Sequence, residues 1–423
     1  MERKIYSDLL KWKRDSSKKP FLLYGNRQVG KTYTVLEFGK CEYKSVSYFN
    51  SDNNEELLNI LKKEKIINKL IMHLGILNGE TIYKNDTLIV IDNVINNDII
   101  KSIKSFKDNT DYHFILITSN KTLFNQCKSE DFKMLTMYQL DFFEYLINND
   151  KKQLIDFIKE SYLTFKPMPF HTIAMEEYEN YLLIGGFPEV VNAALNNLGD
   201  DLLKSIQDKI LTIYKSELLK NETLIDICRG LEIFDSIPYQ LLKTNKKFQY
   251  GLIKQGSRSK EYEKAIDYLT NNNTIYKVNK VSNVKSPISS CKDEGNFKLF
   301  LNDTGLLFNS MNLAKNTIYT DNSIRNTIIE ANIAHNLIMS GYNLYYYQSE
   351  GKAEVSFVIQ TRNGKIIPIE LVNKDLSKSK SLGVFLSKFK IEESIRITEN
   401  NFSKKKGMKY IPVYALTCLK DSL

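Results

Sequence analysis

The chain has 423 residues, more than one ordinary domain holds, and this length predicts two or three domains. Hydrophobic residues make up 42% of the sequence and charged residues 26%, values near the globular average that exclude a disordered chain. The formal net charge of +9 permits contact with nucleic acid but does not require it, because a lysine-rich solvated surface has the same composition.

The cysteines, the histidines and the N-terminus narrow the class of protein further. Five cysteines lack CxxC spacing and four histidines lack a metal-ligand spacing, so neither a zinc site nor a disulfide framework is predicted. The segment "MERKIYSDLLKWKRDSSKK" is charged and lacks the apolar core of a signal peptide, and no apolar run reaches the length of a membrane span. We therefore expect a cytoplasmic protein that does not enter a membrane.

A strand, a glycine-containing loop and a helix are predicted in succession near the N-terminus. After a short amphipathic helix at residues 5–14, the apolar run "FLLY" is typical of a buried parallel strand, and "YTVLEFGK" is predicted to be helical. Between them, "GNRQVGKT" matches the phosphate-loop pattern GxxxxGK[ST]. The loop consists of Gly25, Asn26, Arg27, Gln28, Val29, Gly30, Lys31 and Thr32.

This loop predicts a nucleotide site, with ATP and Mg²⁺ as the expected cofactors. Gly25 and Gly30 allow backbone N–H groups to face phosphate oxygens at a helix N-terminus. Lys31 is expected to reach the β- and γ-phosphates, and the Thr32 hydroxyl is expected to join the magnesium shell. Whether the nucleotide is hydrolysed or only held depends on residues from other strands.

Two further apolar runs predict strands that end in polar residues. The run "DTLIVIDNV" ends in Asp92, a carboxylate that can help to bind magnesium where the strands of a parallel sheet end. The run "HFILITSN" ends in Ser119 and Asn120, either of which can contact the γ-phosphate or the attacking water. Because these strands alternate with helices, they predict an α/β parallel sheet.

Residues 150–290 show helical periodicity and contain a basic segment. The order of a helix at residues 261–269, a turn at "TNNN" and a strand at "TIYKVNKV" is compatible with a winged helix-turn-helix. Candidate contacts to a nucleic-acid backbone are Lys246, Lys247, Lys254, Arg258 and Lys260, with Phe248 and Tyr250 between them. The alternative is that this region packs on the nucleotide-binding core as a lid, with its lysines in solvent.

The segment "KLFLNDTGLLFNSM" predicts a strand, a turn and a helix. We interpret Asp303, Thr304 and Gly305 as structural residues of that turn. From residue 321 onward, the sequence predicts a helix and three strands, with a hairpin turn at Asn363–Gly364.

Four segments together resemble a group of prokaryotic AAA-family ATPases whose members carry a C-terminal domain of uncharacterised function. They are "KPFLLYGNRQVGKT", the strand that ends in Asp92, "KMLTMYQLDFFEYL" and "YLLIGGFPEVV". The resemblance extends from about residue 5 to about residue 416 and includes "SIPYQLLKTNKKFQYGLIKQGSR" and "DTGLL". It implies an α/β fold with a P-loop AAA-type ATPase domain at 1–148, a helical winged-helix-like domain at 149–290 and a restriction-endonuclease-like α/β domain at 291–423.

The nucleotide site departs from the family at two positions. The family has Glu after the strand-end Asp to polarise the attacking water, and this chain has Asn93. Asparagine can orient water by hydrogen bonding but cannot accept its proton. The family's Gly-Ser after the third strand is Thr118-Ser119 here. The resemblance therefore implies nucleotide binding with weak hydrolysis.

The C-terminal order of helix and strands resembles the PD-(D/E)xK nuclease fold. That fold uses a helix acid, a hairpin Asp and a Glu-x-Lys to bind magnesium and to assist the attacking water. Glu330 and Glu370 keep two of these positions. Ser356 replaces the Asp, and Val372 replaces the lysine. We therefore expect nuclease activity to be lost.

Two residues nearby offer an alternative for the lost nuclease groups. Glu354 shares a strand face with Ser356, and Lys374 shares one with Val372, but each lies two residues along the strand. The favoured interpretation is an ATP-binding protein with weak hydrolysis that acts as a nucleotide-responsive DNA-binding or scaffolding protein. The alternatives are a slow ATPase and an ATP-gated DNA nuclease, and the sequence predicts no oligomeric state.

Overall fold

The computed structural model describes residues 1–17, 19–108, 111–218, 223–349, 353–372, 380–405 and 408–421. The chain forms two compact units. The first comprises Met1–Gln139 with Asn271–Asn273, and the second comprises Leu140–Thr270 with Thr274–Leu423. Among the described helices, none is both long enough and apolar enough to cross a membrane.

The first unit is an alternating α/β structure. Its elements are α1 Ile5–Arg14, β1 Phe21–Tyr24, α2 Lys31–Glu42, β2 Ser45–Asn50, α3 Glu55–Lys63, α4 Ile67–Asn78, β3 Thr87–Asp92, α5 Asn97–Lys104, β4 His113–Thr118, α6 Lys121–Gln126 and β5 Lys133–Thr136. The helix before the loop and the strand–loop–helix order are those that the sequence predicted.

The five strands of the first unit form one parallel sheet in the order β2-β3-β4-β1-β5. Every residue of β1, β3 and β4 is buried, which explains why these strands are continuous apolar runs. The sheet places β4 between β1 and β3, so the strand that ends in Asp92 is not adjacent to the strand that precedes the loop. The ends of β1, β4 and β3 therefore form one row.

The second unit contains helices and a mixed sheet. Its helices are α7 Phe142–Asn148, α8 Lys152–Thr164, α9 His171–Ile184, α10 Pro188–Leu195, α11 Asp200–Leu218, α12 Leu224–Leu241, α13 Ser259–Asn271, α14 Thr304–Ser310, α15 Thr317–Thr320, α16 Asn322–Met339 and α17 Lys380–Phe389, with 3₁₀ turns at Tyr250–Leu252, Ile288–Cys291 and Val413–Asp421. Its strands are β6 Ile275–Val281, β7 Lys292–Leu301, β8 Tyr345–Gln348, β9 Glu354–Gln360, β10 Ile366–Val372, β11 Ile395–Thr398, β12 Ser403–Lys405 and β13 Met408–Pro412.

These eight strands form one sheet in the order β12-β13-β11-β10-β9-β8-β6-β7. Strands β8, β9 and β10 pair antiparallel, and β10 pairs parallel with β11. Strand β6 pairs parallel with β8, so the sheet continues across the predicted domain boundary between residues 290 and 291. The domain boundaries, the winged-helix assignment and the nuclease-like assignment stay predictions.

The turn at Asp303 joins two of the sequence motifs. Asp303 caps α14 by accepting a hydrogen bond from the Leu306 N–H at 2.9 Å, and it accepts another from the Gly186 N–H at 2.8 Å. Burial raises the pKa of Asp303 to about 6, against the effect of these backbone donors. A Cβ on Gly305 would lie 2.4 Å from the Ile184 carbonyl oxygen, so only glycine allows this approach. Asp303 thus lies in the expected turn between β7 and α14, whereas Thr304 and Gly305 belong to the first turn of α14.

Candidate nucleotide-binding site

The loop between β1 and α2 has the backbone of a phosphate-binding loop. Gln28 and Gly30 have positive φ angles of 65° and 90°, and α2 begins directly afterwards at Lys31. A Cβ on Gly25 would lie 2.3 Å from the Met137 carbonyl oxygen, which excludes a larger residue there. The first turn of α2 contains no acidic side chain that would oppose a bound anion. The loop is therefore suited to hold phosphate groups.

Lys31 lies at the centre of this loop. Its side chain is buried, and the ammonium donates hydrogen bonds to the carbonyl oxygens of Gly25 at 2.9 Å and Asn26 at 2.8 Å. It also donates to Ser119 Oγ at 3.0 Å. A buried cation with three oxygen partners lies where the loop and the end of β4 meet, and it supplies positive charge for an anionic ligand.

The sequence left Ser119 and Asn120 as alternatives, and the structure separates them. Ser119 contacts Lys31, as described above. The side chain of Asn120 accepts a hydrogen bond from the Leu123 N–H at 3.0 Å and caps α6. Only Ser119 thus has its side chain at Lys31.

Asp92 lies beside Thr32 at the end of β3. The Thr32 hydroxyl donates to Asp92 Oδ2 at 2.5 Å, although the two residues are far apart in sequence and on different elements. Asp92 is buried, and its Oδ1 accepts the Asn93 N–H at 2.7 Å. A hydroxyl and a carboxylate at this separation are the hard oxygen ligands that Mg²⁺ prefers. The two predicted metal ligands are therefore neighbours.

Asn93 is held by the end of β2. Its side-chain amide donates to Asn50 Oδ1 at 3.0 Å, and its carbonyl oxygen accepts the Ser51 hydroxyl at 2.9 Å. Ser51 also donates to the Asp92 carbonyl oxygen at 2.9 Å. The position that carries glutamate in the resembled family is thus occupied by a neutral amide in a fixed environment.

Two residues that shape this site, Tyr48 and Arg3, were not predicted from the sequence. The hydroxyl of Tyr48 on β2 donates to Asp92 Oδ2 at 3.1 Å. Burial raises the pKa of Tyr48 to about 12, and the negative charge of Asp92 contributes to the same increase. Arg3, which is buried, donates to the carbonyl oxygens of Val29 at 2.8 Å and Tyr138 at 2.7 Å, so it fixes the loop from outside. The alternation of β2 could have indicated a partly buried tyrosine, but neither residue belongs to a local motif.

The lysines predicted to contact nucleic acid differ in exposure. The Lys246 side chain is only 16% exposed, and its ammonium pairs with Glu330 at 2.7 Å. Lys254, Arg258 and Lys260 are exposed, and Lys247 is half-buried. Lys246 is thus engaged inside the second unit, and the exposed cations lie between residues 254 and 260.

The two aromatic residues of this segment pack on other rings. Phe248 is buried and stacks on Phe297, with the ring centroids 5.6 Å apart. Tyr250 packs edge-on against Phe248 at 5.3 Å. A ring that is buried in such a stack is not available to a nucleic-acid base, so the predicted interleaving of aromatic and basic residues serves packing at Phe248.

The nuclease-like positions lie on neighbouring strands. The register pairs Ile369 with Phe357, which brings the next residues, Glu370 and Ser356, to adjacent positions. Val372 is buried at the end of β10. Among the described residues, no group of three or more His, Cys, Asp or Glu side chains could hold a metal ion. Lys374 lies outside the described residues.

Three carboxylates at or near the nuclease-like positions, those of Glu330, Glu354 and Glu370, each have a basic neighbour. Lys246 forms an ion pair with Glu330. Burial alone would raise the pKa of Glu330, but the positive charges of Lys246 and Lys298 lower it below its ordinary value. Lys298 also forms an ion pair with Glu354. Glu370 Oε2 lies 3.8 Å from Arg396 Nε. Side chains of the protein therefore supply positive charge next to all three acids.

Three family models match parts of the chain. Residues 17–146 match the AAA domain family, residues 175–317 match a domain of unknown function (DUF8612), and residues 325–416 match a second domain of unknown function (DUF4143). The N-terminal part of the chain is thus similar to the AAA domain family, in agreement with the resemblance that the motifs indicated. Among curated proteins, no sequence matches the chain.

Three solved structures illustrate the similarity of this chain to known proteins at low identity. A Walker-type ATPase of Pyrococcus abyssi has 13% identity and a TM-score of 0.44, with 73% of this chain and 95% of that chain covered. Drosophila ORC bound to DNA has 14% identity and a TM-score of 0.23, with coverages of 73% and 95%. A signal transduction ATPase with numerous domains and a tetratricopeptide repeat sensor, from Pyrococcus horikoshii, has 15% identity and a TM-score of 0.30, with coverages of 80% and 45%. Because these TM-scores lie below 0.5, the likenesses do not establish a shared fold.

Proposed function

We propose that this chain binds ATP with Mg²⁺ at the loop of residues 25–32 and hydrolyses it slowly. The observation that carries the proposal is the convergence of Lys31, Thr32 and Asp92 from the loop, the start of α2 and the end of β3. The AAA domain match over residues 17–146 supports the same function.

The residues present fit a magnesium–nucleotide complex. The ammonium of Lys31 is already surrounded by oxygen atoms, so an anionic phosphate oxygen can take the place of one of them. Thr32 and Asp92 would hold the metal ion, since their oxygens lie 2.5 Å apart. When bound, Mg²⁺ neutralises charge on the phosphate oxygens.

Asn93 limits the step that follows binding. Hydrolysis needs a water oriented toward the γ-phosphate and a group that accepts its proton. The Asn93 amide can orient water, but it has no basic atom. None of the contacts described at Lys31, Asp92 or Asn93 involves a Glu side chain. We therefore expect slow hydrolysis of ATP, because the site offers an amide at Asn93 where a carboxylate would accept the proton of water.

The first test is the affinity for ATP of the Lys31→Ala variant. Loss of a charge-assisted contact costs about 1.5–3 kcal/mol, so we expect the Kd for ATP to rise about 10- to 100-fold. Lys40→Ala is the matched control, because Lys40 is an exposed lysine on the same helix. If Lys31→Ala binds ATP as tightly as the wild type, the proposed site is wrong.

A second candidate function is contact with the phosphate backbone of DNA. The exposed cations Lys254, Arg258 and Lys260 favour it, since they lie within seven successive residues of one segment. Nuclease activity is not part of the proposal, because Ser356 and Val372 replace two of the groups that cleavage needs. The cations that lie next to Glu330, Glu354 and Glu370 also favour the absence of cleavage, because they offset the negative charge that would attract a metal ion.

A further inference from the structure

We propose that Tyr48 is a positioning residue for Asp92, and that its hydroxyl sets the affinity of the nucleotide site for Mg²⁺. This inference rests on the proposed function, since it requires Asp92 to serve the metal ion of a bound nucleotide. The juxtaposition that carries it is the convergence of two hydroxyl groups on one carboxylate oxygen.

The two hydroxyls come from different elements. The Thr32 hydroxyl donates to Asp92 Oδ2 at 2.5 Å from the first turn of α2, and the Tyr48 hydroxyl donates to the same oxygen at 3.1 Å from β2. The other oxygen of Asp92 accepts the Asn93 N–H at 2.7 Å. Both carboxylate oxygens are therefore fixed by hydrogen bonds, which holds the plane of the carboxylate.

The sheet determines which residue of β2 can make this contact. Strands β2 and β3 run parallel, with Tyr48 paired to Val90 and Asn50 paired to Asp92. Val46, two residues before Tyr48, lies against α2, since a Cβ on Gly39 would be 2.5 Å from Val46 Cγ2. Because side chains two residues apart share a face, Tyr48 also faces α2. The tyrosine therefore lies on the same side of the sheet as Thr32.

A hydrogen bond from Tyr48 has a defined effect on a metal ligand. Donors to a ligating carboxylate fix its orientation, and their removal typically weakens metal binding about 10- to 100-fold. The half-buried ring of Tyr48 keeps its hydroxyl at Asp92 Oδ2, at 3.1 Å. Tyr48 thus acts on the metal ion only through Asp92.

The test uses Tyr48→Phe in the full chain, because phenylalanine keeps the ring and removes only the hydroxyl. ATP binding is measured with a fluorescent ATP analogue, first in EDTA and then in a titration with Mg²⁺. We expect the Mg²⁺ concentration at half-saturation to rise about tenfold, while the affinity in EDTA stays within about twofold of the wild type. Tyr83→Phe is the control, because Tyr83 is an exposed tyrosine of the same unit.

Four outcomes separate this inference from the proposed function. An unchanged Mg²⁺ dependence in Tyr48→Phe overturns the inference, and so does an equal loss of affinity with and without Mg²⁺, which indicates a merely structural role. A Lys31→Ala variant that binds the analogue normally overturns the proposed function itself, and the role of Tyr48 with it. Loss of binding in Lys31→Ala together with a selective Mg²⁺ effect in Tyr48→Phe supports both.

Discussion

Asn93 follows Asp92 at the end of β3 in a left-handed backbone conformation, with a φ of 56°. Asparagine tolerates this conformation better than longer residues do, because its short side chain hydrogen-bonds locally. Here its amide donates to Asn50 and its backbone N–H donates to Asp92. The residue therefore stabilises the end of the strand, but it cannot accept a proton from water.

Replacing Asn93 tests whether a missing base limits hydrolysis. We expect slow phosphate release in the wild type and an increase of at least about tenfold in Asn93→Glu, since a positioned general base contributes about 10²- to 10⁴-fold. Asn93→Gln is the matched control, because glutamine has the length of glutamate and a similar backbone cost but no basic oxygen. Steady-state phosphate release at saturating ATP is the measurement. Fast release by the wild type, or an equal gain with glutamine, would contradict the role of Asn93.

The residues of the site fall into two groups, those within one short motif and those that contact partners far away in sequence. The spacing of one short motif predicts Lys31 and Thr32, because the loop and the helix that follows are built from consecutive residues. Tyr48 contacts a carboxylate 44 positions away, and Arg3 contacts Tyr138 across 135 positions. No local pattern encodes such contacts, so they cannot be predicted from the sequence alone.

At the scale of the elements, the position of β4 between β1 and β3 determines how the site of the first unit is assembled. The sequence predicts β1, β3 and β4 as strands, but it does not predict their order in the sheet. In the sheet, β4 pairs with both β1 and β3 and brings Ser119 between the loop and Asp92. The order of parallel strands depends on crossover connections, which strand periodicity does not determine.

The junction of α9, α10 and α14 depends on two glycines. At Gly185, with a φ of 76°, a Cβ would lie 2.2 Å from Asp303 Oδ1, and at Gly305 it would lie 2.4 Å from the Ile184 carbonyl oxygen. The backbone atoms around Gly305 leave no flexible side chain that could move aside. This close approach explains why the motifs "IGGFPEVV" and "NDTGLL" contain glycine at these positions.

A prediction for this junction concerns the free energy of unfolding. Gly305→Ala should destabilise the second unit by about 1–3 kcal/mol, since the added methyl group forces α14 away from Ile184. Gly383→Ala is the control, because an added Cβ in the middle of α17 meets no atom within 4 Å and alanine favours helix. Chemical denaturation of both variants measures the difference. If Gly305→Ala unfolds at the wild-type denaturant concentration, the packing argument is wrong.

At the scale of the whole molecule, three acids of the second unit are balanced by cations from other elements. Glu330 on α16 pairs with Lys246, Glu354 on β9 pairs with Lys298 on β7, and Glu370 on β10 lies beside Arg396 on β11. An ion pair that is mostly removed from water loses stability when one partner is missing. These three cations are therefore engaged within the folded second unit, and Lys246 is paired there with Glu330.

Binding of DNA is predicted to depend on Lys254 and Arg258. The double variant Lys254→Glu/Arg258→Glu should weaken binding to a short duplex and reduce the slope of log affinity against log salt by about two, one per lost phosphate contact. Lys152→Glu/Lys166→Glu is the matched control, because it changes the net charge equally at two exposed lysines. Fluorescence anisotropy at several salt concentrations measures both quantities.

One result would contradict the proposed DNA contact, and another would contradict the expected loss of nuclease activity. An equal loss of affinity in both double variants would indicate that net charge alone attracts DNA. Plasmid nicking in Mg²⁺ that disappears in Glu370→Ala would show that the replaced nuclease positions still support cleavage.

The sequence by itself determined the phosphate loop, the buried strands around it and the identity of Asn93, because these features depend on consecutive residues and on the period of apolar side chains. The tertiary structure decided which strand separates the loop from Asp92, which tyrosine contacts that carboxylate and which cations neutralise the acids of the second unit. Those contacts join residues 26 to 88 positions apart, and their geometry exists only once the sheets have formed. The phosphate-loop pattern is thus visible in one short motif, whereas the metal affinity and turnover that we propose depend on neighbours that the fold supplies.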